Sequence, residues 1–288
     1  MTNPDLRPMT LGEVLDRTFR LYKSHFLLFT GIMALPFLLL FVFNVFLEWF
    51  TRSERAIGRV GGPAHADPAT AILVGAGAGI LVLFLTFILS GIGQAATIFT
   101  VSDVYLNRPV SVRGAFAHVR GHIASALGTI FLTGLMVGAG MLLLFIPGII
   151  LACRTGVAVP AAMLEDDSPG SAISRSMDLT RGFTMQMFLI FLLTWVLAFG
   201  AAFLIAIPFG ILAVTPRPHV LPLGVVVLQH ALNFLEQVLI APIGAIAFSL
   251  MYYNLRVRKE AFDLEHLMGT WGQGASSGGA AAGTVLGI

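Results

Sequence analysis

Apolar residues in this chain fall into long blocks separated by short polar segments, and the blocks predict helices that cross a membrane. The first runs from about residue 26 to 50, with Pro36 inside it and Trp49 near its end. The second lies within residues 69–106, and its part nearest Asn107 and Arg108, about 83–106, is the expected span. The third covers about 123–146 and meets Pro147-Gly148, which reads as a turn. A shorter fourth block, about 149–164, contains Arg154 and Pro160 and reads as a short full span or a re-entrant element. The fifth is about 185–208, and the sixth, counted back from Arg256, about 236–255. With a rise of about 1.5 Å per residue, roughly twenty residues cross a hydrocarbon core of about 30 Å. Residues 51–70 show no helical period and read as a loop, and the Gly/Ala/Ser-rich residues 269–288 read as a disordered tail.

Three shorter segments have a different pattern. In residues 10–24, Leu11, Val14, Leu15, Phe19 and Tyr22 share one helical face, with Arg17, Arg20 and Lys23 elsewhere. Residues 111–121 repeat the plan with Val112, Ala115, Phe116 and Val119, and residues 169–181 repeat it more weakly with Ile173 and Met177. Each precedes a pair of apolar blocks. The expected fold is an all-α integral membrane protein within residues 1–268. It has six transmembrane helices arranged as three hairpins, each preceded by an interfacial amphipathic helix. Such helices lie in the headgroup plane, where anionic lipid attracts basic residues by about 1 kcal/mol each. Packing on other parts of the same chain is the alternative reading.

Charge sets the sidedness. Twelve basic residues fall on one side: Arg7, Arg17, Arg20, Lys23, Arg108, Arg113, Arg120, Arg175, Arg181, Arg256, Arg258 and Lys259. Four fall on the other, namely Arg52, Arg55, Arg59 and Arg217, and Arg154 is unassigned. The positive-inside rule then puts both termini in the cytoplasm. The N-terminal segment mixes both charge signs before any apolar run and does not read as a secretory signal.

Composition agrees with a lipid-solvated surface: 57% of residues are hydrophobic, only 11% are charged, and the mean hydropathy is +0.88. A soluble domain carries about a quarter charged residues. Basic residues sit at span ends rather than on one face, so no nucleic-acid partner is expected. The single cysteine, Cys153, lies in an apolar run and reads as a buried thiol. Seven histidines are dispersed; only His118 and His122 are spaced for one helix face, and they read as a solvated pair rather than metal ligands. No cofactor or metal is expected.

Polar residues at the spans mark the candidate positions, because burying them in a bilayer is costly. Asp103 is expected to pair with Arg108 or with a basic residue of the interfacial helices, and Arg154 either snorkels outward or pairs with Glu236 across the bundle. Gln229, Asn233 and Glu236 share a face that hydrogen-bonds a neighbouring helix or lines a small vestibule. Asn44 and Gln94 read as interhelical hydrogen bonders. Arg256 opens the basic exit of the last span. Glu165-Asp166-Asp167-Ser168 reads as a cap for the next helix rather than a cation site. Ser174, Ser176 and Thr180 have no base positioned in sequence, and no set of residues reads as catalytic.

The segments LGEVLDRTFRLYKSHF, VYLNRPVSVRGAF, IPGIILACR, LEDDSPGSAISRSMDLTRG and LMYYNLRVRKEAFDLE resemble the membrane domain found in some glycerophosphoryl diester phosphodiesterases. The resemblance covers roughly residues 8–267. Asn254 and Ala261 depart from its pattern, standing where the family often has an acidic residue and glycine. That domain also occurs as stand-alone bacterial membrane proteins, so the resemblance implies a module of the bacterial plasma membrane. The family's catalytic barrel, with its His-Arg-Gly step and metal-binding carboxylates, has no counterpart here. The expected function is that of a non-enzymatic accessory or scaffold in a membrane, envelope or lipid-related process. Its expected partners are anionic lipid and a membrane protein or a second copy of the chain. The alternative is a permease for a lipid or amphiphile.

Overall fold

The computed structural model describes residues 8–60, 68–105, 108–165, 167–214 and 221–281, with side chains at 54–60, 68–71, 213–214 and 261–281 left aside. The chain is about 90% helical, without strands among the described residues. The helices are α1 (Leu11–Ser24), α2 (Phe26–Val60), α3 (Pro68–Tyr105), α4 (Val112–Val119), α5 (Ile123–Leu143), α6 (Phe145–Thr155), α7 (Ala158–Leu164), α8 (Pro169–Leu179), α9 (Thr184–Val214) and α10 (Leu223–Ala281). Six described segments are long and apolar enough to cross a membrane: α2, α3, α5, α6 with α7, α9 and the first part of α10. The protein is a multi-pass membrane protein.

Local chemistry starts the short helices. The Thr10 hydroxyl accepts from the Glu13 N–H while the Glu13 carboxylate accepts from the Thr10 N–H, which closes a capping box on α1. Ser111 and Ser168 cap α4 and α8, and Pro169 occupies the first turn of α8, where its missing N–H costs nothing. Each short helix leads directly into a long one. The α8–α9 link turns at Gly182, whose φ of 91° lies in the left-handed region that favours glycine.

The long helices run past their expected ends. Helix α2 continues through the expected loop to Val60, α3 is unbroken from Pro68, and α10 begins at Leu223. Adding a residue to an existing helix gains a hydrogen bond without a new nucleus, so polar residues follow on. On α2 the extension is joined by an ion pair between Arg52 and Glu48 at 2.7 Å. The same continuity carries the α10 backbone to Ala281, into the segment expected to be disordered; residues 282–288 lie outside the described residues.

The reversal between α5 and α6 also differs from expectation. It falls at Leu144, whose backbone is extended (φ −159°, ψ 132°), and Pro147 sits in the first turn of α6 instead of in the turn. Leu144 donates to the Gly140 carbonyl at 3.0 Å and accepts from Gly148 at 3.3 Å. The tip is apolar: Leu142, Leu143, Leu144, Phe145 and Ile146 are all exposed, Leu142 at 90%. The two helices meet at glycines. A Cβ on Gly148 would lie 2.7 Å from the Met141 backbone nitrogen, and one on Gly140 would lie 3.1 Å from the Gly148 Cα.

Helix α10 is the hub, packing on α2, α9, α3 and α1. Its Ile246, Leu250, Met251 and Leu255 are fully buried with Phe29 and Ile32 of α2 and Met187 and Ile190 of α9. On α3, Gly91 closes on Leu127 and Gly93 on Met33 and Pro36, while Gly75 and Gly79 face open space. The packed core gathers at the end where α1, α4, α8 and the basic stretch of α10 meet, here termed the basic end. Toward the opposite end α3 and α9 present apolar side chains outward, including Ile72, Ile80 and Leu83 on α3 and Phe199, Phe203 and Leu204 on α9.

Candidate functional site

Two polar constellations stand out in the fold. The larger is at the basic end, where α7, α8 and α10 converge on Glu165. Its carboxylate accepts from Arg175 Nε at 3.0 Å and from the Tyr252 hydroxyl at 2.5 Å, and Arg256 approaches to 3.8 Å. Arg175 also pairs with Glu260, which Arg256 binds at 2.7 Å. Two carboxylates and two guanidiniums thus alternate across three helices. Burial pushes the Glu165 carboxyl up, but the Tyr252 and Arg175 hydrogen bonds and the charges of Arg175 and Arg256 outweigh it, holding it below the usual carboxylate range. The Glu165 hydrogen bond, against the opposing effect of burial, holds Arg175 above its ordinary value, helped by Glu260. Glu165 is therefore engaged with α8 and α10 and does not cap α8, which Ser168 does. Asp166 lies outside the described residues.

The same end of α10 pins the N-terminal segment. The buried Asn254 amide accepts from the Met9 N–H at 2.8 Å and donates to the Met9 carbonyl at 3.0 Å, where Arg258 adds a second donor at 2.6 Å. A carboxamide matches both backbone groups, whereas a carboxylate could only accept. Asn254 thus ties α10 to the N-terminal segment through both backbone groups of Met9. Nearby, Tyr253 stacks on Tyr105 with centroids 5.2 Å apart, and the Arg17 guanidinium lies 4.8 Å from the Tyr105 ring centre. Arg108 stands 3.8 Å from Asp103 and is mostly exposed, so that pair adds little.

The expected Arg154–Glu236 pair is not formed. Helix α6 ends at Thr155, and the break that follows frees the Arg154 carbonyl, which accepts from Ser176 of α8 at 2.9 Å and from Thr180, the residue that ends α8, at 3.0 Å, both buried. That holds Arg154 near the basic end, whereas Glu236 lies about 24 Å along α10 from Tyr252 at 1.5 Å per residue. The Ser176 and Thr180 hydroxyls thus satisfy backbone that a broken helix leaves open. Replacing both, as Ser176→Ala with Thr180→Val, is expected to cost about 2–3 kcal/mol by stranding that carbonyl, read as a lower thermal midpoint in detergent. Glu236→Gln is expected to leave the midpoint unchanged or raised, because no ion pair to Glu236 is seen among the described residues. A marked fall would restore the pairing.

The second constellation is a cleft of about 260 Å³ between α2, α3 and α10, lined by Asn44, Thr86, His230, Asn233 and Gln237 with Phe37, Leu40, Phe41 and Phe234. Asn233 is the member of the expected polar face found here, joined by His230 and Gln237 in place of Gln229 and Glu236. Asn44 donates to Leu40 on its own helix at 2.8 Å and so does not bridge helices.

No protein-family model, curated protein or solved structure matches this chain. The functional reading therefore rests on the residues themselves. His118 and His122 flank the Phe99 ring at 5.8 and 5.4 Å, and no group of three metal-ligating side chains occurs among the described residues. Cys153 is buried. The Glu165–Arg175–Arg256–Glu260 network was missed as a unit because its members lie on three helices far apart in sequence. The available signal was the pairing of LEDD with RVRKE at two span ends.

Proposed function

We propose that this chain is a non-enzymatic accessory or scaffold in a membrane, envelope or lipid-related process. In this reading it sits in a bacterial plasma membrane with both termini in the cytoplasm. The observation that carries the reading is the alternating network at the basic end. There Glu165, Arg175, Arg256, Glu260 and Tyr252 bind one another, and Asn254, Ser176 and Thr180 bind backbone. Polar groups so engaged brace a fold; they do not converge on a reacting atom. Arg20, Arg108, Arg113, Arg120 and Arg181 are exposed at the same end, where anionic inner-leaflet lipid would meet them. In this reading α1, α4 and α8 lie at that interface, each heading a hairpin of two spans. The exposed apolar flanks of α3 and α9 offer contact to a membrane-protein partner or a second copy. The resemblance to the phosphodiesterase-associated membrane domain points the same way.

Gentle extraction of the full-length chain, followed by analysis of what stays bound, tests the role. A defined protein partner is the expected result, and a chain that always runs alone would count against it. Sidedness is tested with cysteines at Ser53 and at Ser174, which is exposed where Ser176 is buried. Impermeant reagent added outside intact cells should label the first and not the second, with Cys153 silent by burial.

The cleft favours a second reading, a permease for a lipid or amphiphile. Reconstituted flux that falls on Asn233→Leu would support it.

A further inference from the structure

We propose that the cleft between α2, α3 and α10 binds the uncharged, hydroxyl-bearing head of an amphiphile. The inference rests on the chain being embedded in lipid and not on the scaffold role, which a negative result here would leave standing.

The first argument is unspent hydrogen-bonding capacity. Asn44 and Gln237 each commit one amide hydrogen to backbone, at 2.8 Å to Leu40 and 3.3 Å to Asn233, and the Thr86 hydroxyl donates to Val82 at 2.8 Å. The carbonyl oxygens of Asn44 and Gln237 and the side chain of Asn233 show no partner among the described residues, while His230 feels the charge of Glu48. Three carboxamides around one space present donors and acceptors side by side, the pattern that neighbouring hydroxyls match. Leaving such groups unpaired within a bilayer costs free energy that a polar occupant recovers.

Charge is the second argument. No Lys, Arg, Asp or Glu lines the cleft. Glu48, one turn beyond Asn44, is held by Arg52 at 2.7 Å, and Arg52 also donates to the Leu221 carbonyl at 2.7 Å. Among the residues that line the cleft, an anionic head would meet no lysine or arginine, and a cationic head no carboxylate. Phe41 and Phe234, with ring centres 5.8 Å apart, supply apolar walls for the C–H face of a polyol.

The third argument concerns access and size. Beyond Thr86 toward the far end, α3 is exposed at Phe84, Leu83 and Ile80, so an apolar flank adjoins the cleft. At about 260 Å³ the space falls short of the ~300–1,000 Å³ typical of ligand pockets. It takes a head group and leaves the chains outside, along that flank. A free polyol shares the same chemistry, and the test separates the two sources.

The full-length protein is placed in nanodiscs containing equal fractions of monoglucosyl diacylglycerol, phosphatidylserine and phosphatidylethanolamine. Retained lipid is then read by native mass spectrometry. The glucosyl lipid should be retained at least tenfold over the other two, and Asn44→Leu with Asn233→Leu should abolish the preference. Thr86→Phe fills the cleft from α3 and serves if the double variant fails to fold. Displacement of the lipid by millimolar free glucose would assign the site to the head alone; its failure would make the chains part of recognition. Equal retention of phosphatidylserine, or a preference that survives Thr86→Phe, would overturn the proposal.

Discussion

Gly148→Ala should lower the stability of the protein by about 3 kcal/mol, a large effect for one methyl group. The added Cβ would stand 2.7 Å from the Met141 nitrogen and 2.8 Å from its Cα. Both are backbone atoms and cannot rotate aside, so α5 and α6 must separate. Separation would open the contact that Gly140 makes from the other side, where Leu151 and the Gly148 backbone already crowd the position. Gly134→Ala, on α5 with open space beside it, is the control and should be neutral or slightly stabilising. Thermal unfolding in a mild detergent checks both. Equal midpoints for the two variants would show that the hairpin is looser than its glycines imply.

The second large effect is expected at Glu165. Glu165→Ala leaves Arg175 and Arg256 facing each other with Glu260 as their shared carboxylate, at a cost of about 2 kcal/mol. The figure is kept modest because both guanidiniums are about a third exposed or more. The same residue makes stability depend on acidity. Its carboxyl is held below the usual range in the folded chain, so its contribution is complete above the unfolded value of about 4.3 and is lost as pH falls through the lower folded value. Wild type should therefore lose thermal stability steeply below about pH 4.3. Glu165→Gln should start lower at neutral pH and decline less. Parallel acid limbs for the two proteins would assign the acid sensitivity to other carboxylates.

Much of the fold could be read from apolar periodicity. Helices α2, α5 and α9 begin close to where their apolar blocks begin, at Phe26, Ile123 and Thr184, because lipid makes apolar length the deciding quantity. Helix ends were less legible: polar residues such as Arg52 continue a helix once the turn before them exists. The α5–α6 reversal was misplaced because Pro147-Gly148 has turn chemistry, yet proline is equally suited to a first helical turn and this glycine serves helix contact. The polar sites were read only by residue. Arg256, Asp103 and Asn233 were singled out, but their neighbours were set by three-dimensional packing. Met9 and Asn254, for example, lie 245 positions apart. Nothing in the local sequence of Arg154 reveals that its carbonyl, rather than its charge, is what α8 binds.

The apolar tip at Leu142–Ile146 bears on how the protein enters its bilayer. From Gly134 to Cys153 the chain has no ionisable or side-chain hydrogen-bonding residue other than the thiol, so the tip half of this pair carries no hydrophilic cargo into the oil, and Arg154 behind it is the one charged residue of the two helices. Its direction of entry is then dictated by anchors outside the pair, with Arg113 and Arg120 before it and Arg175 and Arg181 after it, and the insertion machinery has only to release the segment sideways.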